Sequence, residues 1–82
     1  MLLPIQINGR YAQVIVPDDD RGKALEIYHA GDANWIISAE AAAKLFPTRP
    51  ELHKRLSMVE AFTEAGYHTQ RAVGVMGKSA FQ

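Results

Sequence analysis

The sequence predicts an α+β fold, in which a small antiparallel sheet packs against two C-terminal helices. The sheet consists of an N-terminal β-hairpin plus one or two further strands. Apolar residues alternate with other residues on both sides of Asn8-Gly9, and this pattern is typical of a hairpin. After residue 38 the apolar spacing changes to a helical period. Leu, Ile, Val and Phe make up 20 of the 82 residues, more than the share of about a fifth below which disorder is expected.

The hairpin pattern also predicts a register, because a two-residue loop leaves one way to pair the strands. The predicted pairs are Ile7 with Arg10, Ile5 with Ala12, and Leu3 with Val14. One face of the hairpin, which we expect to be buried, then carries Leu3, Ile5, Ile7, Ala12, Val14 and Val16. Pro4 fits near the start of an edge strand, because it has no backbone N–H to donate.

The middle of the chain is less regular. An acidic turn is predicted at residues 17–22. Residues 23–30 fit either a helix or a strand, and we expect a strand because Leu25 and Ile27 alternate with their neighbours. A short strand is then predicted at residues 34–37.

Two helices are predicted in the C-terminal half. The first covers residues 39–46, with Ser38 as its N-cap. The second begins with a capping box at residues 48–51 (Thr-Arg-Pro-Glu), and it should run to about Ala65 and stop at the glycine that follows. A final strand is predicted between Tyr67 and Met76.

The predicted core draws on both halves of the chain. Its expected members are Ile5, Ile7, Val14, Val16, Trp35, Ile37, Leu45, Phe46, Leu52, Leu56, Val59 and Phe62. A chain of 82 residues leaves no room for a second core of this size. We therefore interpret residues 1–82 as a single small globular domain with a flexible C-terminal tail from about residue 77.

Composition argues against several classes of protein. Nine Lys and Arg balance nine Asp and Glu, whereas proteins that bind polyanions generally carry a basic excess. The chain has no cysteine, so thiol catalysis, disulfides and thiolate metal sites are excluded. We find no basic signal-peptide region and no apolar run near the roughly 20 residues of a membrane helix. The expected location is the cytoplasm, without a membrane partner.

The chemical motifs are incomplete. Gly77-Lys78-Ser79 resembles the end of a phosphate-binding loop, but the motif also requires a glycine where the chain has Ala72. His29, His53 and His68 lack the spacing of metal ligands. We therefore expect no catalytic residue, cofactor or metal ion, and hence a protein that is not an enzyme.

A protein interface is the favoured function. Tyr11 and Ile15 lie on the hairpin face opposite the predicted core, where they form an apolar strip suited to a partner or a second copy. We expect a small non-catalytic regulator or inhibitor, of the kind found in bacteria, phages and mobile elements, that binds another protein of unknown identity. The predicted interface residues are Tyr11, Ile15, Asp18, Asp19, Asp20 and Arg21.

The alternative is a small DNA-binding regulator. The two predicted helices have helix-turn-helix proportions, and basic residues lie near the start of the second, where a recognition helix contacts DNA. The residues that would contact nucleic acid are Arg49, His53, Lys54 and Arg55.

Overall fold

The computed structural model describes residues 1–7 and 9–71, apart from the side chains of Ile7 and Arg71. Its strands are β1 (Leu2–Ile7), β2 (Arg10–Ile15), β3 (Ile36–Ile37), β4 (Leu56–Ser57) and β5 (His68–Arg71). Its α-helices are α1 (Arg21–Ala30), α2 (Ala39–Leu45) and α3 (Met58–Glu64), and short 3-10 turns cover Asp18–Asp20 and Pro50–Leu52. The predicted α+β class is confirmed.

The main sheet contains β1, β2 and β5 in the antiparallel order β1-β2-β5. The predicted hairpin register is confirmed at all three pairs: Ile7 with Arg10, Ile5 with Ala12, and Leu3 with Val14. Gly9 has a φ of +80°, which the two-residue loop requires and which glycine adopts without steric cost.

The predicted final strand is confirmed over His68–Arg71, where β5 pairs with β2. Residues 72–76 of that prediction lie outside the described part of the chain. The tail expected from about residue 77, and with it Gly77-Lys78-Ser79, lies outside that part as well.

Two short strands and their helices form a second layer. β3 pairs with β4 in an antiparallel ladder, and each strand leads into a seven-residue helix. The Ser38 hydroxyl caps α2 by accepting from the N–H of Ala41 at 3.1 Å, so the first predicted helix and its cap are confirmed. The Ser57 hydroxyl caps α3 in the same way, accepting from the N–H of Glu60 at 3.1 Å.

The expected strand at residues 23–30 is wrong, because this segment belongs to α1. Ala24 and Ile27 are both fully buried, and their spacing of three places them on one face of a helix. The alternation of Leu25 and Ile27 was therefore misleading, since only Ile27 reaches the core and Leu25 is half-buried.

The expected second helix over residues 48–65 is also wrong at its start. Residues 50–52 form a 3-10 turn, and the helix begins at Met58. The box that forms is Ser57-Met58-Val59-Glu60, in which the Ser57 N–H also donates to the Glu60 carboxylate at 3.1 Å. Pairing of β4 with β3 extends the backbone just before this cap, so no helix continues through it. The helix ends as predicted before Gly66, which has a φ of +95°.

The core lies between the main sheet and the helices. Nine of the predicted core residues are buried, whereas Trp35 and Val59 are partly buried and the Ile7 side chain is not described. Leu3 and Ala12 are buried, as expected for that face of the hairpin. Counting these two, the buried residues outside the twelve expected core members are Leu3, Ala12, Ala24, Ile27, Ala42, Met58, Ala61 and Tyr67. Four of these eight residues, Ala24, Ile27, Met58 and Ala61, come from α1 and α3, whose boundaries were predicted incorrectly.

The capping box that forms at Ser57 and the predicted one at Thr48, which does not form, give a direct stability test. We expect Ser57→Ala to lower the free energy of unfolding by about 1 kcal/mol, because it removes a cap that satisfies a helix N–H. Thr48→Ala should change it by less than about 0.5 kcal/mol, because Thr48 is exposed and caps no described helix. Urea denaturation followed by circular dichroism measures both values. A larger loss for Thr48→Ala than for Ser57→Ala would contradict this assignment of the caps.

Candidate functional site

The main sheet has one face toward the helices and one away from them. Alternate residues of β1 and β2 are buried on the inner face, as Ile5 and Val14 illustrate. The register places the remaining residues on the opposite side, which we name the outer sheet face. Its members are Leu2, Pro4, Gln6, Tyr11, Gln13, Ile15, His68 and Gln70.

The outer sheet face is apolar at both ends. Among the described residues, the exposed large hydrophobic side chains are those of Tyr11, at 62% exposure, and Leu2, at 55%. Leu2 pairs with Ile15 at one end of the hairpin, and Tyr11 pairs with Gln6 near the turn. The face includes no Asp, Glu, Lys or Arg. Two of the six predicted interface residues, Tyr11 and Ile15, therefore lie together on one uncharged surface.

The other four predicted interface residues lie just beyond the Ile15 end. Asp18–Asp20 form an exposed 3-10 turn, and Arg21 begins α1. The Asp18 side chain is 91% exposed, and its carboxylate lies 3.7 Å from the N-terminal ammonium group. The structure therefore places an acidic group of residues beside the apolar Leu2–Ile15 end of the outer sheet face.

Asp20 differs from its two neighbours because it approaches a buried phenol. Tyr67 is buried and packs edge-on against Phe62, with ring centroids 6.1 Å apart. Burial raises the pKa of Tyr67 above its ordinary value, and the nearby Asp20 carboxylate raises it further. Asp20 is exposed like Asp18 and Asp19, but of the three carboxylates it is the one that affects the pKa of Tyr67.

The proposed nucleic-acid residues do not form a recognition helix. Arg49 precedes the 3-10 turn, and residues 53–55 lie between that turn and β4. The Arg49 guanidinium donates to Glu51 at 3.0 Å and to Glu64 at 2.8 Å. These hydrogen bonds, with that to Glu51 contributing most, raise the pKa of Arg49. Arg49 therefore ties this loop to the end of α3.

Of the remaining three predicted residues, His53 also makes a contact within the fold, whereas the side chains of Lys54 and Arg55 make none of the hydrogen bonds or ion pairs found among the described residues. The Nε2 atom of His53 lies 2.7 Å from the carbonyl oxygen of Phe46, so it must donate, since a carbonyl only accepts. Lys54 and Arg55 are exposed. The helical premise of the DNA-binding prediction is thus wrong, while DNA binding itself stays a prediction.

The strand expected at residues 34–37 is wrong over its first half, because β3 covers only Ile36–Ile37 and residues 34 and 35 belong to the loop before it. Trp35 has a φ of +62°, which is unusual for a bulky residue. The Asp32 carboxylate holds this loop by accepting from the N–H groups of Asn34, at 2.8 Å, and Ile36, at 3.1 Å. The Asp32-Ala33-Asn34 sequence carried a signal for this turn, because Asp commonly bonds to the backbone two residues onward.

Two clefts among the described residues are small. The one beside Trp35 has a volume of about 270 Å³, and one between α1 and α2 has about 260 Å³. Pockets that enclose drug-sized ligands are typically about 300 to 1,000 Å³. Both clefts therefore lie just below the range of pockets that enclose drug-sized ligands.

The described residues contain neither a metal-binding cluster nor a membrane-spanning helix. Within residues 1–7 and 9–71, no three His, Cys, Asp or Glu side chains come together as ligands for a metal ion. None of the helices described there is both long enough and apolar enough to cross a membrane.

The pKa of the Tyr67 phenol tests whether Asp20 is the residue of the acidic turn that lies near it. Asp20→Asn should move the pKa of Tyr67 part of the way back toward 10.0, because it removes the carboxylate and leaves the burial. Asp19→Asn should leave that pKa unchanged. Titration of the Tyr67 ring carbons by NMR measures it. An equal shift in both variants would contradict the placement of Asp20.

Known proteins do not identify this surface. No protein-family model, no curated protein and no solved structure matches the chain. The function is therefore argued from the outer sheet face and the acidic turn.

Proposed function

We propose that the chain is a small non-catalytic protein-binding regulator or inhibitor, and that its interface is the outer sheet face together with the acidic turn. The observation that carries the proposal is the 62% exposure of Tyr11 on an uncharged sheet face. The predicted interface residues are those named from the sequence, Tyr11, Ile15, Asp18, Asp19, Asp20 and Arg21. A cytoplasmic location belongs to the same proposal and fits the cysteine-free composition.

Tyrosine supports an interface because of its chemistry. Its ring buries a large apolar area when a partner covers it, while its hydroxyl still finds a hydrogen bond. Tyr is therefore enriched among the few residues that carry most of an interface's binding energy. Leu2 and Ile15 supply apolar area on the same face, and the acidic turn favours a partner with basic residues at that end.

DNA binding has less support as the alternative. Arg49 and His53 make contacts within the fold, which leaves Lys54 and Arg55 as the exposed basic pair of the four predicted residues. Two cations neutralise few phosphates, and the chain has no basic excess. We place the protein interface first for this reason.

Tyr11 is expected to contribute to binding and not to folding. Tyr11→Ala should change the free energy of unfolding by less than about 0.5 kcal/mol, because the side chain is largely exposed. Ile5→Ala, on the inner face of the same hairpin, should cost about 2 to 5 kcal/mol, because it empties a buried site. Thermal denaturation of the three proteins measures the difference. If Tyr11→Ala lowered the free energy of unfolding as much as Ile5→Ala does, Tyr11 would be a core residue.

Binding is tested with the same variant. We expect a tagged wild-type chain to retain a partner from its native cells, and Tyr11→Ala to reduce that retention at least tenfold, the effect of about 1.4 kcal/mol. Thr48→Ala, which is exposed and lies outside the outer sheet face, is the matched control and should retain the partner fully. Equal retention by all three proteins would contradict the proposed interface.

A further inference from the structure

We propose that the cleft beside Trp35 binds a neutral nucleobase, either free or as part of a nucleoside, stacked on the indole ring. This Trp35 cleft lies between the turn end of the hairpin and the loop before β3, and it is lined by Gln6, Gly9, Ala33, Asn34 and Trp35. The inference does not depend on the proposed function, because it concerns a small ligand and a cleft that shares only Gln6 with the outer sheet face.

The backbone of Trp35 has a conformation that a bulky residue rarely adopts. Its φ of +62° lies in the left-handed region that glycine occupies without steric cost. The last residue of a three-residue hairpin loop commonly takes this conformation, and glycine is the usual residue there. Trp35 holds that position in the loop between Asp32 and Ile36, which the Asp32 N–H closes by donating to the Ile36 carbonyl oxygen at 2.9 Å. Backbone strain of this kind is concentrated at binding sites.

The strained residue is fixed on both sides. The Trp35 N–H donates to the Asp32 carbonyl oxygen at 3.0 Å, and the Trp35 carbonyl oxygen accepts from the Met58 N–H at 2.8 Å. The indole ring also packs against Tyr28, with ring centroids 5.7 Å apart. The ring is therefore positioned before any ligand arrives, which lowers the conformational cost of binding.

The polar side chains of the Trp35 cleft are uncharged. Gln6 and Asn34 each supply a carboxamide, and neither amide takes part in a hydrogen bond within residues 1–7 and 9–71, since Asn34 bonds to Asp32 through its backbone N–H. A carboxamide presents a donor and an acceptor side by side, which matches the donor–acceptor edge of a base such as adenine. No Asp, Glu, Lys or Arg lines the cleft, so it offers no charged group to hold a phosphate.

A flat ligand suits this arrangement better than a sugar does. Every nucleobase has a π face that stacks on an aromatic side chain, and its planar edge lets one carboxamide bond to it twice. A sugar presents separate hydroxyl groups on a puckered ring, so it gains neither the flat stack nor the paired edge. The cleft volume of about 270 Å³ lies just below the drug-sized range of about 300 to 1,000 Å³, a scale that fits one base.

Trp35 is the single tryptophan of the chain, so its fluorescence reports binding directly. The full chain is titrated with adenosine and, separately, with uridine. We expect saturable quenching with a dissociation constant of about 1 mM, because one stacked ring and one or two amide pairs make up the contact. No quenching by either nucleoside up to about 10 mM overturns the proposal.

Variants of the two amides test the site itself. Gln6→Ala and Asn34→Ala should each weaken binding at least threefold, because each removes a paired hydrogen-bonding group. Gln13→Ala is the matched control, since it removes a carboxamide from the same hairpin outside the cleft, and it should leave the affinity unchanged. Circular dichroism shows whether each variant is folded. Equal weakening by Gln6→Ala and Gln13→Ala, or no weakening by either cleft variant, overturns the proposal.

Two further ligands separate a neutral base from other sources of binding. Glucose should leave the fluorescence unchanged, because it has no flat face to stack. Adenosine monophosphate should bind no more tightly than adenosine, because no cation lines the cleft. Glucose binding as tightly as adenosine, or the monophosphate binding at least tenfold more tightly than adenosine, overturns the assignment of a neutral nucleobase.

NMR of the wild-type chain gives a readout that needs no variant. Addition of adenosine should shift the single indole N–H resonance, from Trp35, and the side-chain amide resonances of Gln6 and Asn34. Shifts confined to residues outside the Trp35 cleft overturn the proposal.

Discussion

The register of the N-terminal hairpin is the constraint on which the rest of the structure depends. The two-residue loop, with Gly9 at a φ of +80°, pairs the strands so that Ile5 and Val14 enter the core together. A slip of one residue would move the whole apolar set to the other face. The same pairing leaves Tyr11 exposed, so the core and the candidate interface follow from one turn.

The helical layer is held by polar contacts at the ends of its elements. Ser38 and Ser57 cap the two short helices, and Lys23 donates to the Leu45 carbonyl oxygen at 2.8 Å, close to the end of α2. Arg49 bonds to both the side chain and the backbone of Glu64, which fastens the loop before β4 to the end of α3. Basic residues that resemble a DNA-binding set in the sequence therefore serve, in part, to hold short elements together.

The sequence predicts the hairpin and α2 well, but it misses α1 and the start of α3, for a physical reason. Alternation and the Asn8-Gly9 turn are local signals, and they agree with each other about residues 2–15. The start of α3 depends instead on the pairing of Leu56 with Ile37, a contact between residues 19 positions apart that no local pattern reveals. The sequence contains two possible capping boxes, which begin at Thr48 and at Ser57. The helix starts at the second one, because β4 pairs with β3 just before it. For α1, burial of Ala24 and Ile27 against the other elements outweighed the apparent alternation.

The candidate site was predicted to the extent that it depends on the hairpin. Tyr11 and Ile15 share a face because of the register, whereas the contribution of Leu2 and the role of Asp20 beside Tyr67 required the folded chain. The central claim is that the outer sheet face contacts another polypeptide. It is tested most directly by photo-crosslinking in native cells, with a photoreactive phenylalanine analogue at position 11 and, as control, at position 48. The account predicts a defined adduct, to a second copy or to another protein, from position 11 alone. No adduct from position 11, or the same adduct from both positions, would contradict it.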